Sequence, residues 1–114
     1  MSREEILATE WDERFEKLRK DMMVMSYWKY GKVEDNAKSG MEDILKSLDK
    51  RYEAFKQTKN TEFLADIANF CMMIFMFPKE CGCHYKPTDS DESPGIDGIS
   101  VKEFQEEYMN YINE

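Results

Sequence analysis

Asn60-Thr61-Glu62-Phe63-Leu64-Ala65-Asp66-Ile67-Ala68-Asn69-Phe70-Cys71-Met72-Met73-Ile74-Phe75-Met76-Phe77-Pro78 is the stretch on which the fold turns. Asn60 or Thr61 offers a side-chain oxygen to the orphan backbone donors of a helix start. Pro78 stops the same helix, because a proline pushes the residue before it out of helical space. The first half carries Glu62, Asp66 and Asn69 at i, i+4 and i+7, which is one face of a helix. The second half, residues 70–77, has no polar face at all. A helix apolar all round lies at the centre of a core or at an oligomer interface. The run is also much shorter than the roughly 20 apolar residues that a membrane-spanning helix requires.

Working outward, Leu7, Trp11, Phe15, Leu18, Met22 and Met25 fall at steps of three and four and predict a helix over residues 2–30. Ser2 with Glu5 forms a capping box at its start, and Gly31 ends it. Around Met22 to Trp28 apolar residues cover more than one face, so deep burial is expected there. Residues 31–40 read as a polar connection. Ser39 with Glu42 repeats the capping-box spacing ahead of a second stripe, Met41, Leu45, Leu48, Tyr52 and Phe55, which predicts a helix over about 40–58. The third helix covers about 61–77. Residues 78–99, rich in Pro, Gly, Ser, Asp and Cys, form a long irregular acidic loop. Ser100 with Glu103 then starts a short docked helix over 100–113, with Val101, Phe104, Tyr108 and Tyr111 on one face. The expectation is a single all-α domain over residues 1–114, a three-helix bundle-like core plus that C-terminal helix.

Composition agrees with one compact domain. At 114 residues, with 13% aromatics and nine Met, the chain has enough apolar volume for a core, and its 35% charged residues describe a solvated surface. The N-terminus lacks the apolar stretch of a secretory signal, so the expected location is the cytoplasm. Three Cys fit free thiols in a reducing compartment. The net charge of −8 is uneven: residues 81–114 hold two basic and eight acidic side chains. Direct nucleic-acid binding is disfavoured, because counterion release needs clustered Lys and Arg. An acidic segment of Asp89, Asp91, Glu92 and Asp97 suits a basic partner surface. The apolar stretches 70–77 and 22–28 exceed what a small helical bundle covers and predict self-association, with a dimer favoured.

Several chemistries can be weighed against spacing. Asp66 and Asn69, directly before the wholly apolar half of their helix, predict a buried polar network with Lys29, Tyr30, Lys46 or Arg51 as donors. Glu62 is equally consistent with a solvated first turn. Whether the cluster is a ligand site or a structural lock stays open. Cys81-Gly82-Cys83-His84 lacks a complete tetrahedral ligand set, so no zinc is expected. Asp89, Asp91, Ser93 and Asp97 fail the calcium-loop pattern, which needs Gly and Glu where Pro94 and Ser100 stand. With His84 as the one imidazole and no Gly-rich phosphate loop, no catalytic residues emerge. No cofactor is expected.

The stretches Met23-Val24-Met25-Ser26-Tyr27-Trp28-Lys29-Tyr30-Gly31, residues 60–70 and His84-Tyr85 together resemble a family of small phage and prophage proteins. The likeness spans roughly the middle two-thirds of the chain, and N-x-E-x-L-x-D-x-A-N is its most specific element. It implies a phage or mobile-element setting in a bacterial host cell. Taken with the small size, the lack of catalytic machinery and the C-terminal acidity, that setting leads to the expectation of an accessory protein that binds a host macromolecule, such as a component of host defence or of nucleic-acid handling, and favours a binding protein over an enzyme. A weaker likeness is to MazG-like all-α nucleotide pyrophosphohydrolases, whose magnesium is held by E-x-x-E and E-x-x-D helices. Here those stretches read Lys50-Arg51-Tyr52-Glu53 and Asp66-Ile67-Ala68-Asn69, with two carboxylates replaced. Magnesium relies on anionic oxygens, so this departure counts against hydrolysis; the alternative is a nucleotide-sequestering protein or a MazG-like nucleotide pyrophosphohydrolase, and magnesium is expected as a cofactor under that alternative alone. That alternative would use Glu53, Glu62, Asp66 and Asn69, with Tyr27, Trp28 or Tyr30 stacking on a base.

Overall fold

The computed structural model describes residues 1–40 and 43–88. They form five α-helices, α1 (Arg3–Glu10), α2 (Glu13–Tyr30), α3 (Val33–Ser39), α4 (Ile44–Thr58) and α5 (Glu62–Met76), followed by a 3-10 turn at Lys79–Cys81. The protein is all-α, with no strand among the described residues. The chain divides into two units, one of Asp12–Tyr85 and one of Met1–Trp11 with Lys86–Glu114. The loop beyond residue 88 and the helix expected over 100–113 lie outside the described residues.

In the smaller unit, α1 starts with the capping box read from the sequence. Ser2 Oγ accepts from the Glu5 N–H at 3.1 Å, and Glu5 Oε1 accepts from the Ser2 N–H at 3.3 Å.

The helix expected over 2–30 is two helices. Trp11 and Asp12 are both extended, and Asp12 Oδ1 accepts from the Phe15 N–H at 2.8 Å to start α2. Apolar periodicity runs straight through this break because it carries no information about backbone donors. At the other end Gly31 takes φ +82° and donates to the Tyr27 carbonyl at 2.8 Å. The polar connection after it is mostly helix: α3 buries Ala37 and ends at Gly40, φ +67°. A seven-residue helix with two apolar side chains offers too little periodicity to be seen. Ser39 is the last residue of α3, its hydroxyl donating to the Asn36 carbonyl, and not the cap of the next helix. Asp43 caps α4 instead, accepting from the Lys46 N–H at 3.0 Å.

α4 and α5 fold back on each other through Lys59, Asn60 and Thr61. Lys59 takes the left-handed conformation (φ +59°, ψ +18°) and donates to the Phe55 carbonyl. Asn60 Oδ1 accepts from the Glu62 N–H at 3.1 Å, so Asn60 and not Thr61 caps α5. Pro78 follows the end of α5 as expected. α5 is central to the Asp12–Tyr85 unit, packing against both α4 and α2 and burying Ala65, Asn69 and Met73 at i, i+4 and i+8. Around Met73, Ala37 and Ile44 gather the partly buried Met23, Val33, Phe70, Ile74, Phe77 and Cys81. The outer edge of α5 is less covered than an apolar-all-round helix predicts, since Phe75 and Met76 are exposed.

α2 differs most from expectation. None of its 18 residues is fully buried, and Val24, Met25, Tyr27, Trp28 and Tyr30 are all exposed. The side chains it turns toward α5 include Arg19 and Met23, one step round the helix from the Leu18–Met25 stripe. No described helix is long and apolar enough to cross a membrane.

Candidate functional site: a methionine-lined groove between α2 and α5

Facing α2 and α5 enclose an open groove of about 560 Å³, with Arg51 of α4 at its side. Its apolar lining comes from Leu18, Met22, Met23 and Met25 on α2 and from Phe70 and Met73 on α5. α2 supplies its share because residues 18, 22 and 25 recur at helical spacing, and α5 because residues 66, 69, 70 and 73 share one face.

Asn69 is the best-held polar group of the site. It is 4% exposed, its Oδ1 accepts from Arg19 Nε at 3.2 Å, and its Nδ2 donates to the Arg19 carbonyl at 3.1 Å. The same guanidinium pairs with Glu16 Oε1 at 2.9 Å, reaches Met72 Sδ at 3.7 Å and lies over the Phe15 ring, 5.9 Å from its centroid. Arg19 and Glu16 keep only 19% and 24% of their side chains exposed. A charge placed there holds its position only when its donors are answered, and here they are. This is a clip joining α2 to α5. Arg19 was not among the donors expected from sequence. The available signal was its position four residues after Phe15 on the face that meets α5, a long cation within an otherwise apolar stripe.

Asp66 pairs with Arg51 at 3.3 Å, and the two side chains keep 32% and 47% exposure. It is half-solvated, whereas the sequence predicted burial equal to that of Asn69. Arg51 was one of the expected donors. Glu62 lines the groove at its exposed rim, as does Tyr30. Glu53 lies outside the groove and binds Lys56 at 2.6 Å, a contact that raises the Lys56 ammonium above its ordinary pKa. Tyr27 and Trp28 do not line the groove either; their rings meet edge to face at 5.6 Å elsewhere on α2. The structure therefore brings together four of the seven residues proposed for the polar cluster, Glu62, Asp66, Asn69 and Tyr30, and adds Asp21, Ser26, Lys29 and Arg51. The acidic segment Asp89, Asp91, Glu92 and Asp97 lies outside the described residues.

Cys71, Cys81 and Cys83 are free thiols. Burial, followed by the neighbouring Cys83, Glu80 and Asp43, pushes the Cys81 thiol up from its ordinary value, which suppresses its nucleophilic form at neutral pH. Among the described residues no three His, Cys, Asp or Glu side chains come together in a metal-binding arrangement.

No protein family, curated protein or solved structure matches the chain.

Proposed function

We propose that the protein acts by binding another macromolecule, a host protein in a bacterial cell, with the groove between α2 and α5 as the docking surface. One observation carries the reading: the apolar lining of the groove is flanked by polar groups of which Asp21, Arg51, Asp66 and Asn69 are spent within the chain. Asn69 is committed to Arg19, Asp66 to Arg51, and Asp21 to Lys17 at 2.8 Å. What remains for recognition is a lining of methionine, leucine and phenylalanine with polar rims. Methionine is unbranched and polarisable and re-packs against varied apolar shapes, which suits a groove that accepts an amphipathic helix. The resemblance to small phage proteins supplies the setting, an accessory protein aimed at a component of host defence or nucleic-acid handling. The net charge of −8 favours a partner with a basic surface over nucleic acid itself.

Capture from bacterial host lysate on the immobilised protein tests this reading. Met22→Glu and Met25→Glu should each abolish capture of a defined partner while leaving far-ultraviolet circular dichroism unchanged. A partner retained equally by both variants places recognition elsewhere.

A second reading, nucleotide binding without hydrolysis, draws on Lys29 and Tyr30, which line the same groove; Lys29 forms no ion pair among the described residues. A nucleotide that raises the melting temperature of the parent protein but not of Lys29→Ala would favour it.

A further inference from the structure

We infer that the face of α2 turned away from the groove, built on Val24, Tyr27 and Trp28, is the interface with a second copy of this chain, packed antiparallel about a two-fold axis at Val24. Helices in globular proteins are held mainly by packing an apolar face. α2 has two such faces, and α5 occupies one. On the other, Val24 is 58%, Tyr27 49% and Trp28 79% exposed. The Tyr27 and Trp28 rings already brace each other edge to face, so little rotamer freedom is lost when they are covered. Buried, pre-braced Trp and Tyr are the side chains that dominate interface energetics.

The occupant follows from the spacing of charge. Lys20 precedes Val24 by four residues, and Trp28 follows it by four. An antiparallel two-fold axis at Val24 lays each Trp28 on the Lys20 of the other copy. The indole face then receives the Lys20 ammonium. Lys20 is available, since it forms no ion pair among the described residues. The surface is therefore complementary to itself, which an isologous interface requires. A buried aromatic covers about 150–250 Å². Two partly exposed aromatics per copy, with Val24 and the Lys stems, thus fall short of the roughly 1,200–2,000 Å² of stable specific interfaces and mark a weak, transient contact. The dimer should dissociate on dilution.

Sedimentation equilibrium of the full chain over a wide concentration range is the first test, with an expected mass approaching twice 13.6 kDa at the upper end. Val24→Glu sets like charges against each other at the axis and Trp28→Glu removes the anchor, so both should stay monomeric throughout. Each position is exposed, so helix content should hold, and circular dichroism verifies it. The register has its own readout in a Cys71→Ser background. There, oxidised glutathione should convert Val24→Cys to a covalent dimer much faster than Lys17→Cys, which faces the partner near residue 31. A parent protein monomeric at every concentration, a dimer that survives both Glu variants, or faster cross-linking at position 17 would each overturn the inference.

Discussion

Asn69 and Asp66 sit one turn apart on α5, and their surroundings assign them different energetic weights. Removing the Asn69 amide leaves Arg19 Nε without its acceptor inside the α2–α5 contact. Asn69→Ala should therefore cost about 1–3 kcal/mol. Asp66 meets Arg51 across a half-solvated gap, and exposed pairs of this kind are worth no more than about 1 kcal/mol. Urea denaturation of Asn69→Ala and Asp66→Ala beside the parent reads both, and equal shifts would show that the clip is not distinct from the rim pair. The spacing of Asp66 and Asn69 ahead of an apolar run was legible in sequence, and so was the inward turn of Asn69. Their partners were not, because Arg19 lies 50 residues from Asn69 and only packing decides which cation arrives. Lys59 is a second residue with a private energetic signature. Its φ of +59° places a Cβ where an L-residue is strained by roughly 1–2 kcal/mol. Lys59→Gly relieves that strain and loosens the unfolded chain, so a net gain of up to about 1 kcal/mol is expected in the same denaturation experiment. A lower midpoint would mean that the turn between α4 and α5 draws on the Lys59 side chain.

At the scale of elements, the helix caps decide where the periodic stripes are cut. The Ser2–Glu5 box was legible because it has two members at fixed spacing, each answering the other's backbone donor. Asp12 and Asp43 act alone, with Phe15 and Lys46 three residues on, and a lone acid in a polar stretch is indistinguishable by sequence from a solvated one. Hence the helix start at residue 13 and the whole of α3 were missed, while the helices on either side of Lys59 were legible. The Asp12 cap also makes α2 sensitive to acid. The Phe15 N–H, and after it Arg14, hold the Asp12 carboxyl below its ordinary value of 3.8. A carboxyl depressed by folding contributes stability that is present above the unfolded value and is lost as pH falls through the folded one. The first turn of α2 should therefore fray below about pH 4, near the unperturbed Asp value. Amide exchange at residues 13–16 follows this directly. Asp12→Asn keeps an accepting oxygen without a titrating charge, so the fraying step should disappear in that variant. Its persistence would assign the acid sensitivity to another carboxylate.

Across the whole molecule, charge and packing are segregated along the chain. Asp12–Tyr85 contains thirteen basic and thirteen acidic residues and is neutral overall. The net −8 comes entirely from residues 1–11, with one basic and three acidic, and residues 86–114, with two and eight. The core cluster around Met73, the Arg19–Asn69 clip and the Arg51–Asp66 pair all fall inside the neutral unit. Sequence showed the acidity of the last third but not this division, since where a packed unit begins depends on the Asp12 cap and not on composition. The physical consequence is that the specifying contacts and the solubilising charge are separable. A chain of Asp12–Tyr85 alone should retain α2 to α5 and unfold in one cooperative urea transition, because the core cluster, the Arg19–Asn69 clip and the Arg51–Asp66 pair join its own helices to one another. It should also be markedly less soluble near neutral pH than the full chain, since a net charge near zero removes the repulsion that keeps copies apart. Helical circular dichroism with a broad, sloping transition would refute the first expectation: the helices would then form from local propensity while their packing depended on residues 1–11 or 86–114. Cooperative unfolding with undiminished solubility would refute the second, and would show that the mixed charges on the neutral unit keep copies apart without a net excess of either sign.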